Sequence, residues 1–317
     1  MRHIKVVFIG AGRIAEEHIK VFKAIKRVKL IGIYSRSNQK AEILKKKYKI
    51  FEVCKSIREL YEKNKPDLVV VAVSIINTKK IIEEVIKYKW YCLCEKPVGL
   101  NYYETLELSK KIKNKKFFFV AFNRRHYTST RLALDLLNYD KSKRLIFIND
   151  QEDIDFAKKI HPNQVVKNFM YANSIHLVDY CNIFARGKPI SVKRLNFFSE
   201  NRYKFLSKEI KYTSGDRVIF NSIWNRPGPW YVKIISKNTF INLEPLEKIN
   251  FKSKKYQFLE KKYKKILLKK DSFKPGFYYQ ALLTINSIIL RKPLMPNFED
   301  VFQTTTLVKK IFKEILN

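Results

Sequence analysis

The run Ile4-Lys5-Val6-Val7-Phe8-Ile9 leads straight into Gly10-Ala11-Gly12-Arg13-Ile14-Ala15, and apolar residues at helical spacing follow at Ile14, Ile19, Val21, Phe22 and Ile25. A strand that turns through G-x-G-x-x-A into a helix leaves few choices of fold. The first glycine permits the tight turn. The second removes a side chain where backbone N–H groups would approach a pyrophosphate, and the small Ala15 lets the helix pack close to the strand. The positive end of the helix dipole favours the same anion. Only 8 of the 317 residues are glycine, so two within three positions stand out from the background. Gly10, Gly12, Arg13 and Ile14 are therefore candidate cofactor contacts.

The same alternation continues for about 120 residues. Strand-like segments at 28–34, 68–73, 91–94 and 117–122 alternate with helical ones at 40–49, 57–62, 78–88 and 103–112. The stretch Leu68-Val69-Val70-Val71-Ala72-Val73 is apolar throughout and mostly β-branched, as in a central parallel strand covered on both faces. The pattern predicts a doubly wound parallel sheet of the Rossmann type over residues 1–122. Beyond residue 123 it changes. Helices are expected at 129–137 and 174–184. Strands follow one another at 144–148, 191–198, 208–213, 216–224, 231–236, 239–243 and 249–251, and helices return at 277–290 and 299–316. Consecutive strands joined by short turns predict an antiparallel sheet. The expected class is α/β: a dinucleotide-binding domain over 1–122, and over 123–317 an α+β domain for substrate binding and oligomerisation, with a large, mostly antiparallel sheet.

Charge invites another reading. Lys and Arg number 65 against 29 Asp and Glu, a net charge of +36, which would suit a nucleic acid or another anion. The excess is evenly spread, however, with 34 basic and 15 acidic residues in 1–150 and 31 and 14 in 151–317. The chain is also rich in Lys, Ile and Asn, so the charge reads as compositional background and no nucleic-acid partner is expected. No apolar run approaches the ~20 residues of a membrane helix, and no membrane partner is expected. Cys54, Cys92, Cys94 and Cys181 match neither a zinc site nor a disulfide framework. They read as small buried hydrophobes in a cytoplasmic protein, and no metal site is expected.

Cofactor choice turns on the end of the second strand. An acid there would hold the ribose hydroxyls of NAD. The chain has Ser35 followed by Arg36, a hydroxyl and a cation suited to a 2′-phosphate, so the expectation leans to NADP(H) over NAD(H).

Cys94-Glu95-Lys96-Pro97 follows another parallel strand, at the end where ligands bind in such sheets. On chemistry alone Lys96 would be one more surface lysine. The surrounding motifs argue otherwise. The chain resembles the glucose–fructose oxidoreductase/inositol dehydrogenase (Gfo/Idh/MocA) family in Gly10-Ala11-Gly12-Arg13-Ile14-Ala15 with His18 shortly after, in the Pro66-Asp67 strand entry, in Glu95-Lys96-Pro97, in Phe122-Asn123-Arg124-Arg125 and in Ser174-Ile175-His176-Leu177-Val178-Asp179.

The resemblance implies an NAD(P)-dependent oxidoreductase that transfers hydride between a nicotinamide and a sugar, sugar nucleotide or polyol, with surface-polysaccharide synthesis as one setting. Lys96 would match the family's catalytic lysine, aimed by a cis peptide before Pro97, and His176 its catalytic histidine, a general acid/base on the reacting oxygen. Glu95 and Lys96 would lie beside the cofactor. Ser74 and Asn77 hold the loop position where the family contacts the nicotinamide side, although that loop's usual Pro and His are absent. Asn123, Arg124 and Asn173, with Lys96 and His176, would meet substrate. A homodimer or homotetramer is expected, with Phe220, Trp224 and Tyr231 on the open face of the large sheet.

One position departs from the pattern. Many family members carry Asp four residues before the histidine, where this chain has Ala172. Either Lys96 and His176 suffice, or Asn173 or Tyr171 substitutes, or the protein is a catalytically impaired cofactor-binding regulator or scaffold of the same fold. His161 and Asn163, in an expected polar loop, and the Trp224–Trp230 segment are weaker substrate candidates. Tyr278 and Tyr279 read as packing.

Overall fold

A computed structural model describes residues 2–201, 203–253 and 273–316. The chain packs as two compact units, Met1–Asn123 with Ser272–Gln303, and Arg124–Asp271 with Thr304–Asn317. The first unit thus takes in a late segment that a cut at 122/123 leaves on the other side.

The first unit is built on strands β1 (Ile4–Ile9), β2 (Val28–Tyr34), β3 (Glu52–Cys54), β4 (Leu68–Val71), β5 (Tyr91–Cys94) and β6 (Phe118–Val120), all parallel, in the order β3-β2-β1-β4-β5-β6. β4 is buried along its whole length, as its unbroken apolar run requires. Helices α1 (Arg13–Lys23), α2 (Asn38–Tyr48), α3 (Ile57–Asn64), α4 (Ile75–Val85) and α5 (Tyr102–Lys111) connect the strands. Several start on side-chain caps: Ser37 accepts from Lys40 N, Ser56 from Glu59 N and Asn101 from Glu104 N. Such caps satisfy N–H groups that a helix start leaves unpaired. β3 is the one strand the sequence pattern missed. Three residues with one charge are too short for a period to show.

The second unit contains α6 (Thr128–Tyr139), β7 (Leu145–Glu152), α7 (Ile154–Ile160), α8 (Asn163–Lys167), α9 (Ile175–Phe184) and strands β8 (Pro189–Glu200), β9 (Tyr203–Tyr212), β10 (Arg217–Trp224), β11 (Tyr231–Ile235), β12 (Thr239–Leu243) and β13 (Asn250–Ser253). The sheet order is β13-β12-β11-β7-β10-β9-β8. Every pairing is antiparallel except β7 with β10. Helices α10 (Phe277–Ile289), α11 (Phe298–Ile311) and α12 (Lys313–Leu316) close the chain.

Three local expectations need correction. Phe220 and Trp224 do not face outward: both are buried, their rings 5.9 and 6.3 Å from that of Phe312. The open face carries the residues of opposite parity, with exposed Leu145, Ile235 and Phe240 paired across neighbouring strands. His161 and Asn163 lie at a junction between helices α7 and α8, not in an extended loop. Asn225 starts α7 from a distance, its Oδ1 accepting from Ile154 N (2.7 Å) and Asp155 N (3.1 Å). β7 also runs four residues past its apolar part, through Asn149-Asp150-Gln151-Glu152, a polar sequence that carries no strand signal.

Candidate active site

In a parallel sheet all carboxyl ends lie at one edge, and in this order β1 and β4 lie where the winding reverses. Crevices at such points take ligands. The first-unit candidates come from these ends: Gly10 follows β1, Ser35 follows β2, Ser74 lies beyond β4 and Glu95 follows β5. The strand ladder continues into them, with Gly10 N donating to Tyr34 O (2.8 Å), Ala72 N to Ile9 O (2.9 Å) and Glu95 N to Val71 O (2.9 Å).

The two glycines of the turn differ. Gly10 has φ +113°, and a Cβ there would lie 2.1 Å from the Ala72 carbonyl oxygen. Gly12 caps α1 in an ordinary extended conformation, with open space where its Cβ would be. No side chain caps this helix, and its first internal bond runs from Glu16 N to Gly12 O (3.0 Å). The N–H groups of the first turn are thus left for a ligand, next to a surface cleared of side chains. That arrangement fits the pyrophosphate of a dinucleotide. Arg13 is exposed and Ile14 half-buried at this turn.

At the end of β2, Ser35 Oγ accepts from Ser37 N (3.3 Å) and Arg36 is exposed. Among the residues of β2 and the two that follow there is no acid. Ser74 caps α4 and accepts from Asn77 Nδ2 at 2.6 Å, so these two candidates are partners of one another.

Glu95 reveals a residue that the motifs included without a role. His18, buried on α1, meets Glu95 Oε1 through Nε2 at 2.8 Å. Its ring packs 4.9 Å from that of Phe277 on α10. Glu95 immediately precedes Lys96, and the Lys96-Pro97 peptide is cis. The histidine six residues beyond the helix cap therefore ties the cofactor turn to the lysine loop. Its recurrence in the motif was the only sequence signal. Asn123 is buried and donates from Nδ2 to Pro275 O (3.2 Å).

The second-unit candidates assemble around α9. Residues Met170–Ser174 form a π-helical turn that runs into α9, with the buried His176 on the first turn of that helix. Turns of this kind recur at functional positions. Asn173 Nδ2 donates to Glu152 Oε2 (2.8 Å) and Ser174 Oγ to Glu152 Oε1 (3.0 Å), so the end of β7 holds the turn. One helical turn beyond His176, Asp179 takes both Nε and an Nη of Arg125 at 2.6 Å and also accepts from Thr304 Oγ1 (3.1 Å). The two motif stretches Phe122–Arg125 and Ser174–Asp179 are thus joined by a fork-shaped ion pair, the geometry in which Arg binds carboxylates most strongly. Arg124 lies with its guanidinium 4.0 Å over the Trp230 ring. Trp230 Nε1 donates to Gln151 O at 2.6 Å. Ala172 is buried and brings no carboxylate to the turn.

All four cysteines are buried and free, and burial pushes the Cys54 thiol up to about 11, with Glu52 and Glu59 adding to it. Such thiols are inert at neutral pH. Among the described residues no three His, Cys, Asp or Glu side chains gather to hold a metal, and no helix is long and apolar enough to cross a membrane.

Comparison with known proteins agrees with this geometry. Residues 4–122 match the family model described as oxidoreductase family, NAD-binding Rossmann fold (Gfo/Idh/MocA). That match covers the Rossmann-type part of the chain, residues 4–122. Among curated proteins nothing matches. Solved structures share the fold at low identity. A dehydrogenase from Chromobacterium violaceum is 13% identical with a TM-score of 0.80, over 99% of this chain and 96% of that one. Levoglucosan dehydrogenase in complex with NADH and levoglucosan is 14% identical with a TM-score of 0.79, over 99% and 97%. The WlbA dehydrogenase from Bordetella pertussis, in complex with NADH and UDP-GlcNAcA, is 13% identical with a TM-score of 0.78, over 99% and 96%.

Proposed function

We propose that the protein is an NAD(P)-dependent dehydrogenase or reductase acting on a CH–OH group or the matching carbonyl of a sugar, sugar nucleotide or polyol. The observation that carries the proposal is the lysine loop: Lys96 before Pro97 at the carboxyl end of β5, in a loop anchored by the His18–Glu95 contact. The family-model match over residues 4–122 and the likeness to sugar and sugar-nucleotide dehydrogenases support the substrate class.

A bound nicotinamide would supply the hydride acceptor or donor. The uncapped first turn of α1 and the open space at Gly12 would hold its pyrophosphate, with Arg13 and Ile14 at the same turn. Lys96 and His176 would handle the proton. In the oxidative direction the His176 imidazole takes the hydroxyl proton and the Lys96 ammonium holds the developing oxyanion; in reduction the proton returns to the oxygen. Asn123, Asn173 and Arg124 would orient the substrate, and Arg124 adds a fixed positive charge suited to an anionic substrate such as a sugar nucleotide.

Ser35 and the exposed Arg36, with no acid at the end of β2, favour NADP(H). The open sheet face bearing Leu145, Ile235 and Phe240 is the surface proposed for self-association into a dimer or tetramer. The test is nicotinamide absorbance during incubation with sugars, inositols and nucleotide sugars, using NADP+ and NAD+ in parallel. Turnover with a member of this panel, faster with NADP+, is expected. Cofactor binding without turnover on any of them would make the protein a regulator or scaffold, and a strong NAD+ preference would overturn the role given to Arg36.

A further inference from the structure

The polar end of β7 is buried, which is costly unless every group finds a partner. Asp150 and Glu152 are two residues apart on the strand, so their side chains leave the same face. Both are buried, and each carboxyl acts on the ionisation of the other. From β10, Ser222 Oγ donates to Asp150 Oδ2 (2.8 Å) and itself accepts from Trp224 Nε1 (3.1 Å). From the π-helical turn, Asn173 and Ser174 donate to the two oxygens of Glu152. Arg124 adds a positive field at Asp150.

Burial raises both carboxyls, Asp150 to about 6 and Glu152 further, because a neighbouring Asp150 opposes its ionisation. Two dry carboxyls in contact do not both ionise at neutral pH. A single proton resolves the arrangement. Shared between the two carboxyls, it would offer a donor to Asp150 Oδ1, which has no hydrogen-bond partner among the described residues. The pair then carries one negative charge. Because Glu152 accepts at both oxygens, Asn173 must turn its amide nitrogen inward, leaving its carbonyl oxygen to accept from a substrate hydroxyl.

We propose that Asp150 and Glu152 share one proton and act together as a positioning pair, fixing Asn173 and Ser174 in the turn that leads to His176 and stabilising the imidazolium that His176 forms. The proposal rests on the reading of His176 as the proton acceptor. In the forward step the substrate loses its O–H proton to the imidazole and its C–H hydrogen as hydride to the nicotinamide, so a positive charge appears on His176 next to a turn held by a buried anion. A nearby negative charge favours that charged form. Neither carboxyl touches the reacting atoms, and the network explains how a site with Ala172 still places a carboxylate charge under the histidine turn.

The test uses the full-length protein with E152Q, D150N, the double variant D150N/E152Q, and H176N. Infrared difference spectra in D2O should show a protonated-carboxyl band at neutral pH in the wild type that is absent from both carboxyl variants. The imidazole of His176, assigned by comparison with H176N, should titrate lower by roughly one unit, about tenfold in proton affinity, in the double variant, which removes the pair's charge. In turnover, the double variant should lower kcat by about tenfold while leaving the KM for cofactor unchanged, because about 1.4 kcal/mol of imidazolium stabilisation corresponds to a factor of ten. A purely structural role would lower the melting temperature without moving the His176 titration. Absence of the band in the wild type, or an unmoved titration in a folded double variant, overturns the proposal. If the wild type turns over no substrate, the functional reading fails while the two spectroscopic results still decide the pairing.

Discussion

The two glycines of the cofactor turn make opposite predictions on substitution by alanine. At Gly10 the φ of +113° is strained for any L-residue, and the new Cβ would sit 2.1 Å from Ala72 O and 2.8 Å from Ala72 C. Both atoms are backbone, so no rotamer change relieves the overlap. The strained conformation costs about 1–3 kcal/mol and the forced displacement of β4's end a further ~1–3 kcal/mol. The total, about 2–6 kcal/mol, is a large part of the ~5–15 kcal/mol that holds a domain together. G10A should therefore melt roughly 5–20 °C below wild type, at roughly 2–4 °C per kcal/mol for a unit of this size. At Gly12 the backbone is ordinary and the Cβ meets nothing within 4 Å, so G12A should cost the fold less than about 1 kcal/mol as a poorer helix cap. Its methyl would instead occupy the approach to the α1 N–H groups. Losing one charge-assisted hydrogen bond of about 1.5–3 kcal/mol weakens binding by roughly 10- to 150-fold. Differential scanning fluorimetry and titration calorimetry with NADH and NADPH separate the two effects. A G10A protein that melts like wild type, or a G12A protein that binds cofactor like wild type, would refute this division of labour.

Four further outcomes follow from the structure. K96M should abolish turnover while leaving cofactor affinity intact, measured by calorimetry beside the absorbance assay. D179A leaves Arg125 without its fork-shaped partner and should lower stability by about 3–5 kcal/mol in urea unfolding, with loss of activity as α9 loosens. Asp216 is buried, which alone would raise its carboxyl, but hydrogen bonds from Arg186 and from the Arg144 and Arg186 N–H groups hold it down to about 2. Its folded value thus lies below the unfolded one, so the stabilisation is present above the ordinary carboxylate range and is lost as pH falls toward 2; it amounts to about 2 kcal/mol. D216N should flatten that segment of the stability–pH curve. L145K with F240K should shift a sedimenting oligomer toward monomer without lowering the melting point of the subunit.

The legible parts of this protein are those where pattern and packing agree. β1 and β4 and the first glycine turn follow from their residues, because an unbroken apolar strand has one place in a doubly wound sheet and a side chain at Gly10 would collide with the Ala72 backbone. The alternation in the second unit gave the strands but reversed their faces at Phe220 and Trp224. Period two states which residues share a side, and which side is covered depends on Phe312, nearly ninety residues away. The carboxyl pair was invisible for a related reason. Asn-Asp-Gln-Glu reads as a loop, and only its partners at Asn173, Ser174 and Ser222 make it a buried strand end. Within the candidate site, motif residues such as His18 and Arg125 were named without a task, because hydrogen bonds between segments tens of residues apart have no local signature.

The late segment of the first unit has a consequence for the order in which the molecule is made. Helix α1, at residues 13–23, packs against α10, at residues 277–289, through the His18–Phe277 contact. Phe277, Ala281, Ile285 and Ile288 belong to the same apolar cluster as Val6, Phe8 and Phe22. A ribosome adding about 5–20 residues per second therefore releases the cofactor turn early but supplies its cover only near the end of synthesis. The nucleotide-binding unit is first in the sequence yet is completed only once residue 303 has been added. A nascent chain stopped at residue 123 should expose the apolar side of α1 to chaperones, and cofactor should reach a finished site only after the remaining residues have emerged.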